Sequence, residues 1–466
     1  MIEQNIVSIV KACDGIIINR GNMETVNEIS TDTRTIKKGN LFVPLIGENF
    51  DGHIFIGEAI KKGASAILVQ EDRMENIINA DGVNIIQVKD TLKALTQIAH
   101  YYKSLFDIPF IGVTGSVGKT TAKDLIAGVL SGKYNVHKNI GNLNNEIGLP
   151  ITLFNLEPYH DISVLEMGMS SYGEILNLVN VVYPDIAVIT NIGVSHIKYF
   201  GSKENIMKAK MEITANLKEG DYLLVNGDDE YLKSIDRKDK GYNIIFYGLS
   251  PHNDFHPIDV KNLGAGGSSF TMDMGGKPVQ FKIKQLGLHN IYSGLAAIWI
   301  ATRYGMTPEE IQNGLNNFEV SEMRLEVMNK NNIKIIDDTY NASPDSMKAA
   351  IDVLESIGAG RKIAVLGNMF ELGNFAERGH REVGEYLADK KIDLLITVGE
   401  MAYWISSEAE KKGFKKENIL AVSTNEDAID ILRQKVGEND AVLIKGSRGM
   451  VMEEIVSFLQ EGELIK

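Results

Sequence analysis

The stretch Gly112-Val113-Thr114-Gly115-Ser116-Val117-Gly118-Lys119-Thr120-Thr121 constrains this chain more than any other. The apolar run Ile108-Pro109-Phe110-Ile111 reads as a buried strand before it, and residues 122–130 have helical periodicity after it. Strand, glycine-rich turn and Lys-Thr at a helix start make a phosphate loop. Its glycines let backbone N–H groups curl around an anion, and the helix N-terminus adds positive potential. Lys119 then neutralises the outer phosphates and a threonine hydroxyl can reach Mg²⁺. The common spacing GxxxxGK[ST] would place its first glycine at Val113; the spacing here is TGxxGKTT. A glycine-rich turn without nucleotide is the bland alternative, and the strand in front of Gly-Lys-Thr-Thr weighs against it.

Around that loop the pattern alternates strands and helices. Strand-like segments at 161–165, 185–190, 222–225 and 243–247 predict a mostly parallel sheet with helices on both faces. Residues 255–283 switch to alternating runs around Gly264-Ala265-Gly266-Gly267 and Gly275-Gly276, which predicts an antiparallel excursion before an apolar helix at 290–304. From about Arg324 the βα alternation resumes, with strands at 333–336, 362–366, 394–398, 419–422 and 441–445, a doubly wound pattern without GxGxxG. Residues 1–90 mix short strands with a helix at 53–62 and carry no nucleotide loop. A chain of 466 residues exceeds one core, so the expected division is 1–90, 91–320 and 321–466.

A net charge of −14 argues against a broad nucleic-acid or anionic-membrane surface, so phosphate must be held by a local site. Cys13 is the only cysteine, which excludes a disulfide framework and a cysteine-based metal site. No apolar run reaches 18 residues and the start lacks a leader pattern, so a cytosolic protein is expected.

Polar stretches recur at strand ends, where open α/β sheets bind ligands. Glu166, in Leu165-Glu166-Met167-Gly168, is placed to ligate a hard cation, or else caps or pairs locally. His196, in Asn191-Ile192-Gly193-Val194-Ser195-His196, is a possible metal ligand or an ordinary loop histidine. Lys210 and Glu212 are two apart on a helix and share no face, so spacing alone reads Lys210 as a solvated lysine. Ser30-Thr31-Asp32-Thr33-Arg34 suits a sugar or diphosphate, or is a polar turn with Arg34 in a surface ion pair. Residues 337–346, 366–373 and 445–449 are further polar turns at strand ends.

Taken together, TDTR, DGH, TGSVGKTT, GNLNNEIGLP, EMGMSSYGEI, TNIGVSHIKYFGS, AKMEI, LGLHN, DDTYNASP and KGSRG resemble the Mur ligase family over nearly the whole chain, and its D-alanyl-D-alanine-adding branch in particular. Ser293, Ser343 and Asn368 depart from the residues the family tends to carry. The resemblance implies an α/β fold of three domains: a small mixed N-terminal domain, a central phosphate-loop ATPase domain and a Rossmann-like C-terminal domain. It implies a monomer in which ATP activates the carboxylate of a UDP-N-acetylmuramoyl-tripeptide and D-alanyl-D-alanine attacks the acyl phosphate. Another carboxylate–amine ligase, folylpolyglutamate synthase-like, is the alternative.

Residue roles follow from the same resemblance. Thr114, Gly115, Ser116, Val117, Gly118, Lys119 and Thr120 would cradle ATP, with Asn290 at the adenine and Arg324 and Asp338 as further nucleotide contacts. Two Mg²⁺ sites are implied: Thr120 with Glu166, and Glu166 with His196 and a carbamylated Lys210. Lys119, Glu166, His196 and Lys210 form the implied catalytic set. Ser30, Thr31, Arg34, Asn142, Asn145, Tyr340, Asn341, Lys445 and Arg448 would contact the UDP-substrate or the dipeptide.

Overall fold

The computed structural model describes residues 1–77, 80–238, 240–318 and 321–461. The N-terminal strands are β1 (Ile16–Asn19), β2 (Glu28–Ser30), β3 (Asn40–Phe42), β4 (Ala66–Gln70) and β5 (Asn84–Val88), in the order β1-β5-β4-β3-β2. All neighbours run parallel except β1 against β5. The three-residue β2 is too short to show a period, yet it delivers Ser30 to a strand end. The helix expected at 53–62 starts as a 3₁₀ turn, Gly52–Phe55, and continues as Ile56–Lys61. Ile56, Ala59, Ile67, Val69 and Ile85 form the local core.

The helix α1 (Thr91–Lys103), capped by Asp90, leads to the central strands. These are β6 (Phe110–Thr114), β7 (Val136–Lys138), β8 (Ile162–Glu166), β9 (Ile186–Ile189), β10 (Tyr222–Asn226) and β11 (Asn243–Tyr247). Their order is β7-β8-β6-β9-β10-β11, with both edge pairs parallel. β6, β8 and β9 are buried throughout, as mostly apolar strands covered on both faces are, and β8 buries Ser163 and Glu166 with them. The excursion is a three-stranded antiparallel sheet of β12 (Asp259–Asn262), β13 (Ser268–Asp273) and β14 (Pro278–Ile283).

The last sheet comprises β15 (Glu326–Lys330), β16 (Ile333–Asp337), β17 (Lys362–Gly367), β18 (Leu394–Val398), β19 (Ile419–Val422) and β20 (Ala441–Lys445), in the order β15-β16-β20-β17-β18-β19. Only β15 is antiparallel. Ile336, Ala364, Leu366 and Leu443 pack into one core, whereas Ile335, Ile363, Val365 and Val442 pack into another, so successive residues serve opposite faces. The sequence expectation of an α/β fold with mostly parallel sheets holds.

Two compact units emerge from the packing. One contains Met1–Gly112, Tyr134–Ala187 and Glu212–Asp221; the other contains Val113–Lys133, Val188–Met211 and Tyr222–Lys466. In the first unit Cys13 is buried, and burial pushes its thiol up to about 11. No described helix is long and apolar enough to cross a membrane.

Candidate active site

The phosphate loop runs from the end of β6 to α2 (Lys119–Leu130). Gly115 has φ +151°, and a Cβ there would lie 1.9 Å from Thr190 Oγ1, so only glycine fits. Gly118, at φ +78°, starts the helix. The loop is braced by the residues after β9. Asn191 Nδ2 donates to Val117 O at 2.8 Å and its Oδ1 accepts from Val117 N at 2.9 Å. Thr190 Oγ1 donates to Val117 O at 2.7 Å, and Ser116 N donates to Asn191 O at 3.0 Å. A Cβ on Gly193 would lie 2.5 Å from an Asp345 carboxylate oxygen and 3.2 Å from Ser116 Cβ, which places the start of the 344–356 helix beside this loop.

Lys119 Nζ donates to Gly115 O at 2.9 Å and to Ser116 O at 3.4 Å. Lys210, on the helix Lys203–Met211, donates to the same Gly115 oxygen at 2.9 Å. Spacing reads Lys210 as solvated; the structure corrects this, leaving it 2 % exposed. Burial, with the Lys119 charge added to it, holds the Lys210 ammonium well below the usual lysine range. Tertiary burial of one helical position leaves no mark in local spacing, which is why the sequence alone misplaces it.

His196 sits at φ +62°, and its Nδ1 lies 2.9 Å from Glu371 Oε2, close as an ion pair but not aligned as a hydrogen bond. The imidazole holds the Glu371 carboxyl below the usual carboxylate range, against burial and with help from Lys198.

In the first unit, the buried Glu166 ends β8. Its Oε1 accepts from Asn144 Nδ2 at 2.7 Å, and Asn139 pairs with both its backbone groups, at 3.0 and 3.1 Å. Asn139, just before GNLNNEIGLP, and Asn144 within it thus touch Glu166. Asn145 Oδ1 instead accepts from Gly148 N, the first residue of the helix Gly148–Leu153, at 2.8 Å, and Asn142 is exposed. Ser30 Oγ lies 2.8 Å from Thr35 Oγ1 and accepts from Asp32 N at 3.0 Å. Thr31 is half-buried, and the exposed Arg34 pairs with Asp32 at 2.6 Å, the surface ion pair that the sequence left open.

In the second unit, Asn290 is buried and donates to Leu286 O at 2.7 Å. Arg324 lies 4.0 Å from the Tyr340 ring centroid, flanked by Met323 and Leu325, both at positive φ. Lys445 is buried, 2.6 Å from Asp338 Oδ2, and donates to Asn341 O at 2.8 Å. Arg448 pairs with Glu453 at 2.8 Å. Arg324, Asp338, Tyr340, Asn341 and Lys445 therefore form one cluster. Sequence reasoning missed Thr190, Asn191 and Glu371 as site residues, although each lies in a polar strand-end stretch it had singled out.

Known proteins resemble this chain along its length. The Mur ligase middle domain matches residues 113–301, the Mur ligase glutamate ligase domain residues 323–448, and the Mur ligase family catalytic domain residues 25–103. UDP-N-acetylmuramoyl-tripeptide–D-alanyl-D-alanine ligase of Bacillus subtilis is 41% identical over 468 residues, covering 100% of both chains. The protein of the same name from Escherichia coli is 34% identical over 94% of each. Among solved structures, MurF from Acinetobacter baumannii superposes with a TM-score of 0.89 at 28% identity over 98% of both chains. MurF ligase from Thermotoga maritima in complex with ADP gives 0.82 at 30% identity, over 94% of this chain and 98% of that one.

Proposed function

The chain belongs to the Mur ligase family, and from that premise we propose how its residues divide the work. It is an ATP-dependent ligase that joins D-alanyl-D-alanine to UDP-N-acetylmuramoyl-tripeptide in peptidoglycan synthesis. A free carboxylate is a poor electrophile. In our reading ATP phosphorylates it, and the dipeptide amine displaces phosphate from the acyl phosphate. Such transfer demands positioning and charge neutralisation more than covalent work by the protein.

The phosphate loop, Thr114 to Thr120, orients ATP, and Lys119 leaves the carbonyls of Gly115 and Ser116 for the outer phosphates. Asn290, Arg324 and Asp338 complete nucleotide binding; Arg324 stacks on Tyr340, and Lys445 fixes Asp338 and the Asn341 main chain. Ser30, Thr31 and Arg34 bind the UDP-substrate, for which Arg34 exchanges Asp32 for phosphate. Asn142, Asn145, Tyr340, Asn341, Lys445 and Arg448 face the peptide substrates. The proposed division is 1–90 for the UDP-substrate, 91–320 for ATP and 321–466 for ligation, in a cytoplasmic monomer.

Two Mg²⁺ would be held by Thr120, Glu166, His196 and Lys210. The donor set fits a hard cation: a threonine hydroxyl, a buried carboxylate, and an imidazole whose Nε2 has no protein partner among the described residues. Bound Mg²⁺ supplies neutralisation of charge on the transferring phosphoryl group. Lys210 would join the set as a carbamate, which requires a neutral amine, and its burial beside Lys119 favours that form. The carrying observation is this convergence of Lys119 and Lys210 on Gly115 O.

The test is ATP-dependent phosphate release with UDP-N-acetylmuramoyl-tripeptides, scanned across amine acceptors with mass detection of product. Release confined to D-alanyl-D-alanine is expected. Glutamate addition to a folate, or rapid ATP hydrolysis without either substrate, would overturn the assignment. The same scan reads the third residue of the tripeptide, lysine or diaminopimelate.

A further inference from the structure

The segment after β17 is fixed by bonds on three sides. Asn368 Oδ1 accepts from Ala402 N at 2.8 Å, and its main-chain oxygen accepts from Ser447 N at 3.0 Å. Ser447 Oγ accepts from Phe370 N at 2.8 Å. The fully buried His380 accepts from Met369 N through Nε2 at 2.9 Å and donates to Ala376 O through Nδ1 at 2.7 Å, so it is neutral with its proton on Nδ1. The next residue, Glu371, is thereby held at φ +62°.

His196 stands at the same φ, +62°, and Glu371 is the only side chain recorded against its imidazole among the described residues. The two segments also pack closely: a Cβ on Gly373 would lie 3.0 Å from Lys198 Cβ. An ordinary surface ion pair needs no strained backbone at either partner. Left-handed backbone at both residues, with the Glu371 segment bonded on three sides, marks a geometry kept for use.

We propose that Glu371 is a positioning residue for His196: its carboxylate keeps the imidazole proton on Nδ1 and so leaves the Nε2 lone pair available to a cation. Imidazole ligands are commonly oriented this way, by a carboxylate on the ring nitrogen that does not face the metal. Glu371 lies in the segment 321–466 and His196 in 91–320. The imidazole is therefore completed only when the loop after β17 packs on it, which ties assembly of the nucleotide site to placement of the ligation segment. This inference rests on the reading of His196 as a cation-facing residue.

The test uses full-length Glu371→Ala, Glu371→Gln, His196→Ala and the Glu371/His196 double alanine variant. Binding of Mn²⁺ with a non-hydrolysable ATP analogue is followed by electron paramagnetic resonance of the free ion, and thermal unfolding is recorded alongside. Glu371→Ala is expected to weaken Mn²⁺ binding roughly 10- to 100-fold. Glu371→Gln should fall between it and the parent, because its amide oxygen still places a partial negative charge beside Nδ1 but not a full one. The double variant should be no weaker than His196→Ala, since one residue acts through the other. In the metal-free protein, ¹⁵N resonances of His196 should show the Nδ1–H tautomer in the parent and its loss in Glu371→Ala. Parent-like Mn²⁺ binding in Glu371→Ala, with weakening in His196→Ala, overturns the positioning role and leaves the His196 reading intact. Parent-like binding in His196→Ala removes that reading and this inference with it. Additive losses in the double variant show a merely structural effect and also overturn it.

Discussion

Lys119 and Lys210 donate to one carbonyl oxygen, and two ammonium ions so close repel each other. A neutral Lys210 relieves that repulsion, and a carbamate would replace it with attraction. Lys210→Ala should therefore cut ligation by roughly 10²–10³-fold, the scale of losing one preorganised charged group. A short carboxylic acid should restore part of that rate, whereas Lys210→Arg, which keeps its positive charge, should stay inactive. Initial rates with and without bicarbonate and added acid check both; an active Lys210→Arg enzyme would sink the carbamate. His137 gives a pH test of stability. A carbonyl only accepts, so His137 Nε2–H donates to Thr152 O at 2.9 Å and Nδ1 accepts from Ser163 Oγ–H at 2.8 Å. Burial, with His160 nearby, pushes this imidazole down to about 4 against the pull of the Thr152 carbonyl. Its contribution to stability is complete above the unfolded-state value of about 6.5 and is lost as pH falls toward 4, up to about 3 kcal/mol. Urea unfolding at stepped pH should show this slope, and His137→Gln should flatten it.

At the scale of elements, α2 carries Lys119 and is crossed closely by the helix Pro308–Asn317. The crossing is glycine on both sides: a Cβ at Gly128 would lie 2.1 Å from Phe318 Cβ, and one at Gly314 would lie 2.5 Å from Val129 Cα. Gly314→Val should cost about 1–3 kcal/mol by overpacking. The denaturant midpoint should fall with its slope unchanged, and kcat should fall too if α2 shifts Lys119. Such crossings are illegible in sequence, since a helical glycine looks like a weak helix former. The central strands were legible because β6, β8 and β9 are buried, mostly apolar runs that lead into polar turns. The three-residue β2 was not, and its direction came from its neighbours. The phosphate loop could be read residue by residue because its chemistry is local. Its braces, Thr190 and Asn191, could not, because they arrive from the next strand of the sheet.

On the scale of the whole molecule, residues proposed for the UDP-substrate and for ATP lie far apart in sequence. Lys119→Ala should abolish ligation while UDP-N-acetylmuramoyl-tripeptide binding, measured by titration calorimetry, stays within a few-fold of the parent. A joint loss of both would show that the two sites are not separable in this way. Fold class was legible at this scale because alternation of strand and helix repeats across the chain. Glu371 against His196 was not, since 174 residues separate them and no local pattern links them. Cys13 has a practical consequence. It is the chain's only thiol, it is buried, and its proton is held tightly. A maleimide or disulfide reagent can therefore reach the native chain only when the region around residue 13 opens, so the labelling rate serves as a clock for that opening. A cysteine introduced on the surface would take a fluorophore at one defined place while Cys13 stays silent, making the wild-type sequence its own labelling background.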